Sequence, residues 1–379
     1  MDLAPQYTGT SLLAHYGSPL VTAGNTVIVP VKTGASDGFK VEGRRGADGT
    51  LLWTLPTDYS LPIHRWVPTL GMTLTPKNRL VAPGAGGTVV FRDTPDAATG
   101  ATGWLVFYGE ANRAADPVAY DANVRISTPI TCDRYGSLYF GFQVLGATPL
   151  NLQSGIARIG YNGVGSWVAA STLGAPDNRI AKVVTNCAPA LSNDQRTVYV
   201  AVNTGNGSGG GTAGYLVALN SQTLARTGIV HLLDPRDPAN REALILDDGS
   251  GAPAVGPDGD VYYGVWGDNG YRGFLLHFNA ALTQTKTPAA FGWDITPSQI
   301  PARCVPSYKG ASSYLLLIKY NNYVEGGGDG VNDLAIVDPN ASAPDPRTGV
   351  ATMKPVLTIA GFPFVRAVRA SSPRPPRCS

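Results

Sequence analysis

The sequence predicts an all-β chain folded as a β-propeller of four-stranded antiparallel blades, with six blades present. Three observations carry this. First, a module recurs: Gly17-Ser18-Pro19, then Asn25-Thr26-Val27-Ile28-Val29-Pro30, then Phe39-Lys40-Val41, then Asp48-Gly49-Thr50-Leu51-Leu52-Trp53. Second, aligned on the proline, copies start at Pro19, Pro68, Pro129, Pro189, Pro253 and Pro306, a repeat of several tens of residues. Third, no stretch sustains a helical period, so helix should be nearly absent.

Within each copy a short apolar strand opens on the proline. The second strands are the clearest, at Thr26–Lys32, Arg79–Gly84, Ser137–Gln143, Thr197–Asn203, Asp260–Trp266 and Tyr314–Tyr320. They are dense in Val, Ile, Leu, Tyr and Phe and bounded by turn pairs such as Asp-Gly. Third strands read Phe39–Arg45, Thr88–Asp93, Gly155–Tyr161, Gly214–Asn220, Gly273–Asn279 and Asp333–Asp338. Fourth strands read Leu51–Leu55, Gly103–Tyr108, Ser166–Ser171, Ile229–Leu233, Pro288–Trp293 and Pro355–Ile359.

The 379 residues suffice for a large core, and the repeats make residues 1–364 one domain. Hydrophobic content of 43 % argues against disorder despite 46 Gly and 30 Pro. A net charge of +2 recruits neither nucleic acid nor anionic membrane, and no apolar run approaches a membrane span. No signal peptide is visible at Met1-Asp2-Leu3-Ala4, while few Lys and many Thr, Asn, Gly and Tyr suit a periplasmic or secreted protein. Cys132, Cys187, Cys304 and Cys378 lie in no metal-binding spacing, and Cys187 and Cys304 read as buried small hydrophobes.

The motifs Leu216-Val217-Ala218-Leu219-Asn220 and Asp48-Gly49-Thr50-Leu51-Leu52-Trp53 resemble the repeat of pyrroloquinoline-quinone-type propellers. Gly251 to Gly259 and Gly326 to Asn332 look like uncharacterised bacterial members of that superfamily. The resemblance covers residues of roughly 10 to 362 and speaks for fold rather than activity. It implies a quinone-dependent dehydrogenase as one function, with a planar cofactor over a Trp floor, a Ca²⁺ and an Asp base. No convincing set of those residues is present.

Two segments break the pattern. Asp234–Arg241 is a long polar connection between modules four and five, and residues 365–379 form an Arg/Pro-rich tail unlike propeller sequence. Related propellers have seven or eight blades, so the ring reads either as a closed six-bladed one or as an incomplete seven-bladed one. Bare, apolar faces on the first and last blades would be covered by closure of six blades, with Leu3–Thr10 as the closing strand, or by a homodimer.

Candidate chemistry sits at the mouth of the central channel. Four residues before the module proline stand His15, His64, Arg125, Thr185, Gly249 and Ala302, and three before it Tyr16, Arg65, Ile126, Asn186, Ser250 and Arg303. His15 and His64 at one repeat position could converge on a Zn²⁺ or similar divalent ion, with the shell completed by Asp329, Glu325 or Asp268 and a bound water as nucleophile. Two hydrogen-bonded structural imidazoles are the competing reading. Residues 321–332 offer oxygens enough for Ca²⁺, or are simply a polar glycine turn. Arg65, Arg125 and Arg303 could bind an anionic substrate or pair with loop acids, and Tyr16 and Trp66 could wall a small-molecule substrate or pack between blades. His231 and His277 fall on outer strands and read as structural. The function expected is therefore a metal-dependent hydrolase of ester, lactone or phosphotriester substrates, the alternative being a non-enzymatic binding or assembly propeller.

Overall fold

A computed structural model describes residues 17–33, 38–62, 70–205, 211–246, 251–266, 273–290, 295–321 and 332–360. They form a β-propeller of six four-stranded antiparallel blades, each a meander running outward from the channel. Blade 1 holds Leu20–Val21, Thr26–Lys32, Phe39–Arg45 and Leu51–Thr57; blade 2 holds Thr73–Leu74, Leu80–Pro83, Thr88–Arg92 and Thr102–Val106. In blades 3 and 4 the inner strand is split, into Val124–Ile126 with Thr131–Cys132 and into Lys182–Val183 with Ala190–Leu191. Blade 3 continues with Leu138–Val144, Gly155–Ile159 and Gly165–Ala169, and blade 4 with Thr197–Asn203, Gly214–Asn220 and Arg226–His231. Blade 5 holds Ala254–Val255, Val261–Val265, Phe274–Phe278 and Thr285–Ala290; blade 6 holds Ser298–Pro301, Tyr314–Asn321, Asn332–Pro344 and Ala351–Ala360.

The period-2 alternation of each strand divides its side chains between two neighbours. In the second strand of blade 4, Val198, Val200 and Val202 pack toward blade 3, while Tyr199 and Ala201 join the cluster shared with blade 5. Tyr262 and Tyr263, adjacent in sequence, likewise enter the clusters with blade 6 and blade 4 respectively. One continuous cluster joins blades 1, 2 and 3. The last cluster, around Val305, Leu315 and Ile336, draws only on blade 6 and its inner connection.

On that far face of blade 6, Leu334, Leu357 and Ile359 are 44 %, 42 % and 45 % exposed. Blade 1 departs from the expectation of a matching apolar face. On the side opposite Phe39 and Val41 it carries a charged row, in which Glu42 is held by Lys40 (2.8 Å) and Arg44 (2.5 Å). Burial pushes the Glu42 carboxyl up, but the two cations outweigh it and hold the pKa below the ordinary value.

Among the described residues three short α-helices interrupt the strands: α1 (Glu110–Ala115), α2 (Pro117–Asn123) and α3 (Ala170–Gly174). At two turns or less they leave no periodic signal. The α2 helix starts where the Asp116 carboxylate accepts the Ala119 N–H at 3.0 Å with Pro117 in the first turn. The polar connection at Asp234–Arg241 is an ordered turn, since the buried Asp234 carboxylate accepts a fork of hydrogen bonds from Arg236.

Candidate functional site

Strand direction gives the ring two rims. Inner-to-second and third-to-outer turns emerge on one, here termed the turn rim. Second-to-third loops and blade connections emerge on the other, the loop rim.

The inner turns fix the true repeat register. In blades 1 to 5 the residue opening the turn is Thr22, Thr75, Asp133, Ser192 or Gly256, and its N–H bonds the carbonyl that closes it. The fourth turn residue is left-handed in every copy: Asn25, Asn78, Gly136, Gln195 and Gly259 have φ of 63°, 55°, 96°, 62° and 89°. Asn and Gly tolerate that region best, which explains the Asn and Gly signals of the sequence. On this register the proline alignment slips. Counted along the sequence, His15 stands seven residues before Thr22 and His64 eleven before Thr75. Both histidines lie outside the described residues.

His15, Tyr16, His64, Arg65, Trp66, Asp268, Glu325 and Asp329 lie outside the described residues, as does nearly all of the 321–332 loop. Arg125 and Arg303 are described and belong to opposite rims. Arg125 lies at the loop-rim end of an inner strand, paired with Gln143, and its guanidinium donates to the carbonyls of Asp121 and Val124, capping α2. Arg303 follows the inner strand of blade 6, exposed in the one-turn 3₁₀ segment Ala302–Cys304 on the turn rim. They cannot share one mouth. Cys304 is exposed in the same segment, which corrects its reading as a buried residue, whereas Cys187 is buried and its thiol pushed up to about 12 by burial.

On the loop rim, sequence counting made Thr185 the counterpart of Arg125. The ladder instead pairs Lys182 with Asn203 as it pairs Arg125 with Gln143, because residues between Val184 and Pro189 bulge out of the inner strand. The bulge brings Thr185 under Lys182 (3.3 Å) and within 2.9 Å of the Gln143 amide across the blade junction. Gln143, Lys182, Thr185 and Asn203 are all buried, so this is a hydrogen-bonded seam between blades.

His277 is buried, with Nε2 at 2.8 Å from Asp260 Oδ2, its ring stacked on Tyr262, and Lys286 reaching the same carboxylate oxygen. Burial lowers its pKa below the ordinary histidine value, against the pull of Asp260. His231 stacks on Tyr215 with Nε2 at 3.2 Å from Glu242 Oε1, beside the Arg179 and Asp177 pair. Among the described residues no three metal-ligating side chains form a group.

Among the described residues, two clefts open on the turn rim. A cleft of about 630 Å³ lies between blades 3 and 4, and a second of about 400 Å³ between blades 2 and 3. Tyr135, on the inner turn of blade 3, and Tyr161, on its outer turn, line both clefts and are 62 % and 75 % exposed. The floor of the larger cleft is fixed by Asp133, which accepts the N–H groups of Tyr135 (2.9 Å) and Ser137 (2.8 Å) and the Tyr139 hydroxyl (3.1 Å). Arg158 enters from the third strand, with its Nε buried and unpaired and Nη2 at 3.4 Å from Ser137 Oγ. Arg134 lies over the Tyr135 ring at 5.1 Å and donates to the Asp194 carbonyl in blade 4. Channel-mouth counting along the sequence passed this cleft by. Its signal there is the pair of tyrosines beside turn glycines at Tyr135-Gly136 and Gly160-Tyr161, where burial has no use for an aromatic ring.

No family model matches the chain, and neither does any curated protein. Among solved structures it is similar to the Dos1 propeller (TM-score 0.48, 11 % identity, 90 % of this chain and 70 % of that one). It is also similar to a periplasmic gluconolactonase of Pseudomonas aeruginosa (0.45, 13 %, 90 % and 84 %). A third is the quinohemoprotein alcohol dehydrogenase of Comamonas testosteroni (0.47, 12 %, 93 % and 61 %). These are likenesses of architecture alone.

Proposed function

We propose that this protein is a recognition propeller, a rigid scaffold that binds its ligand on the turn rim of blades 2 to 4 without chemically transforming it. The observation that carries this reading is the cleft of about 630 Å³ in which exposed tyrosines stand over a hydrogen-bonded floor. Its size suits a small or extended ligand, and Tyr and Arg are the side chains that dominate binding energy in such places.

The hydrolase reading asked His15 and His64 to meet at one divalent ion because they were rotational copies. Both lie outside the described residues, and the hydrolase stands as the alternative reading. As proposals we retain two finer points: a bacterial protein exported to the periplasm or beyond, supported by composition and repeat type, and a homodimer through the far face of blade 6.

The test combines metal analysis with a ligand screen. Purified protein is expected to carry no stoichiometric transition metal, and thermal-shift hits from a small-molecule and oligomer library should vanish in the Tyr135→Ala/Tyr161→Ala variant. A bound metal lost in His15→Ala and His64→Ala, together with turnover of an ester, lactone or phosphotriester, would overturn the proposal in favour of the hydrolase. Hits that persist in the tyrosine variant would overturn the assignment of the rim.

A further inference from the structure

The turn-rim clefts have a chemistry that selects among ligands, and the ligand class inferred from it rests on the recognition reading. The larger cleft has no aliphatic side chain in its lining. Its walls are tyrosine rings, arginines, and the amides and hydroxyls of residues such as Gln195, Asn220, Gln222 and Ser221. A peptide anchors itself through apolar side chains that fill dry pockets, which the larger cleft lacks, although Val81, Leu105, Leu138 and Ile159 line the smaller one. A sugar ring needs the opposite. Its C–H face packs on an aromatic ring, and its hydroxyls exchange hydrogen bonds with amides and serines.

Charge narrows the class further. Lys77, in the smaller cleft, and Arg134 and Arg158, in the larger, form no ion pair with a carboxylate among the described residues. Of the acids nearby, Asp133 is buried and internally bonded, and the exposed Asp194 sits by Arg196 at 4.0 Å. Asp133 is committed to two backbone N–H groups and Tyr139, and Asp194 accepts from Ser192 (2.6 Å) and the Arg196 N–H (3.0 Å). Arg79, also in the smaller cleft, is neutralised by Asp93 at 2.6 Å. Three cations thus remain on either side of a tyrosine ridge. The Arg158 guanidinium lines the larger cleft with Nη2 at 3.4 Å from Ser137 Oγ and has no carboxylate partner among the described residues.

We propose that the turn rim binds an anionic oligosaccharide, a chain of uronic-acid units. Successive rings stack on Tyr161 and Tyr135, and their carboxylates meet Arg158 and Arg134 in one cleft and Lys77 in the other.

Calorimetric titration of the full chain with hexagalacturonate, maltohexaose and hexaglutamate tests this. Hexagalacturonate should bind, and maltohexaose should bind at least about tenfold more weakly for want of charge–charge contacts. Affinity should fall on raising salt from about 50 to about 300 mM. Arg158→Gln should weaken binding about tenfold and Tyr161→Ala about fivefold. Tyr161 is 75 % exposed, so its variant should melt as the parent does. Equal affinity for maltohexaose would overturn the anionic requirement. Preferred binding of hexaglutamate, still lost in Tyr161→Ala, would overturn the saccharide while leaving the recognition rim standing. Absence of hexagalacturonate binding, or binding indifferent to both substitutions, would overturn the inference. The rim assignment itself fails only through the library screen with the double tyrosine variant.

Discussion

Trp53, on the outer strand of blade 1, donates its indole N–H to the carbonyl of Pro95 in blade 2 at 2.7 Å. The ring lies over Gly43 on the adjacent strand, where an added Cβ would come within 2.1 Å of Trp53 Cε2, and under the Arg92 guanidinium at 4.6 Å. One side chain therefore ties two blades and needs glycine as its floor. Trp53→Phe loses the hydrogen bond and part of the stacking, and should cost about 2 kcal/mol in urea unfolding. Gly43→Ala should cost about 1–3 kcal/mol by overpacking. Parent-like midpoints for both would show that this contact does not tie the blades.

The seam between blades 3 and 4 makes a separate prediction. Thr185→Val leaves the buried Gln143 amide without its acceptor and should destabilise by about 1–3 kcal/mol. Gln143→Leu in the same background should then cost little more, because the amide left unpaired has been removed. A double-mutant cycle showing additive losses would contradict this coupling.

His277 makes folding sensitive to pH. Its folded pKa lies below the ordinary histidine value of 6.5, so below that pH the unfolded chain binds more protons than the folded one. Stability is therefore full at neutral pH and falls as pH drops from about 6.5 toward the folded pKa. Chemical denaturation between pH 7.5 and 5, at about half-unit steps, should show this slope in the parent and a shallower one in His277→Asn. Identical slopes would remove His277 as the cause.

The far face of blade 6 can be read in solution. Light scattering is expected to give the mass of two chains, with Leu357→Glu returning the mass of one. A single-chain mass for the unaltered protein would end the homodimer proposal.

Most of the blade pattern could be read directly from residues. Alternation of Val and Tyr in Thr197–Asn203, or the Asn-Thr and Asp-Gly pairs around the turns, depends on interactions within a few residues. The outer strands were read less well. In blade 4 the predicted Ile229–Leu233 is Arg226–His231, and in blade 5 the strand begins at Thr285 rather than Pro288. Bulges after Ala218 and Leu275 shift both ladders, and nothing local announces them. The inner strand of blade 6 was misplaced because Pro306 mimics the module proline while standing beyond Ser298–Pro301.

The amino-acid order alone settled the architecture, since strand periodicity and left-handed turn residues are short-range effects repeated along the chain. The register between copies, the rim each side chain faces, and the clefts beside Tyr135 and Tyr161 were decided only in three dimensions. They depend on how one sheet packs against the next.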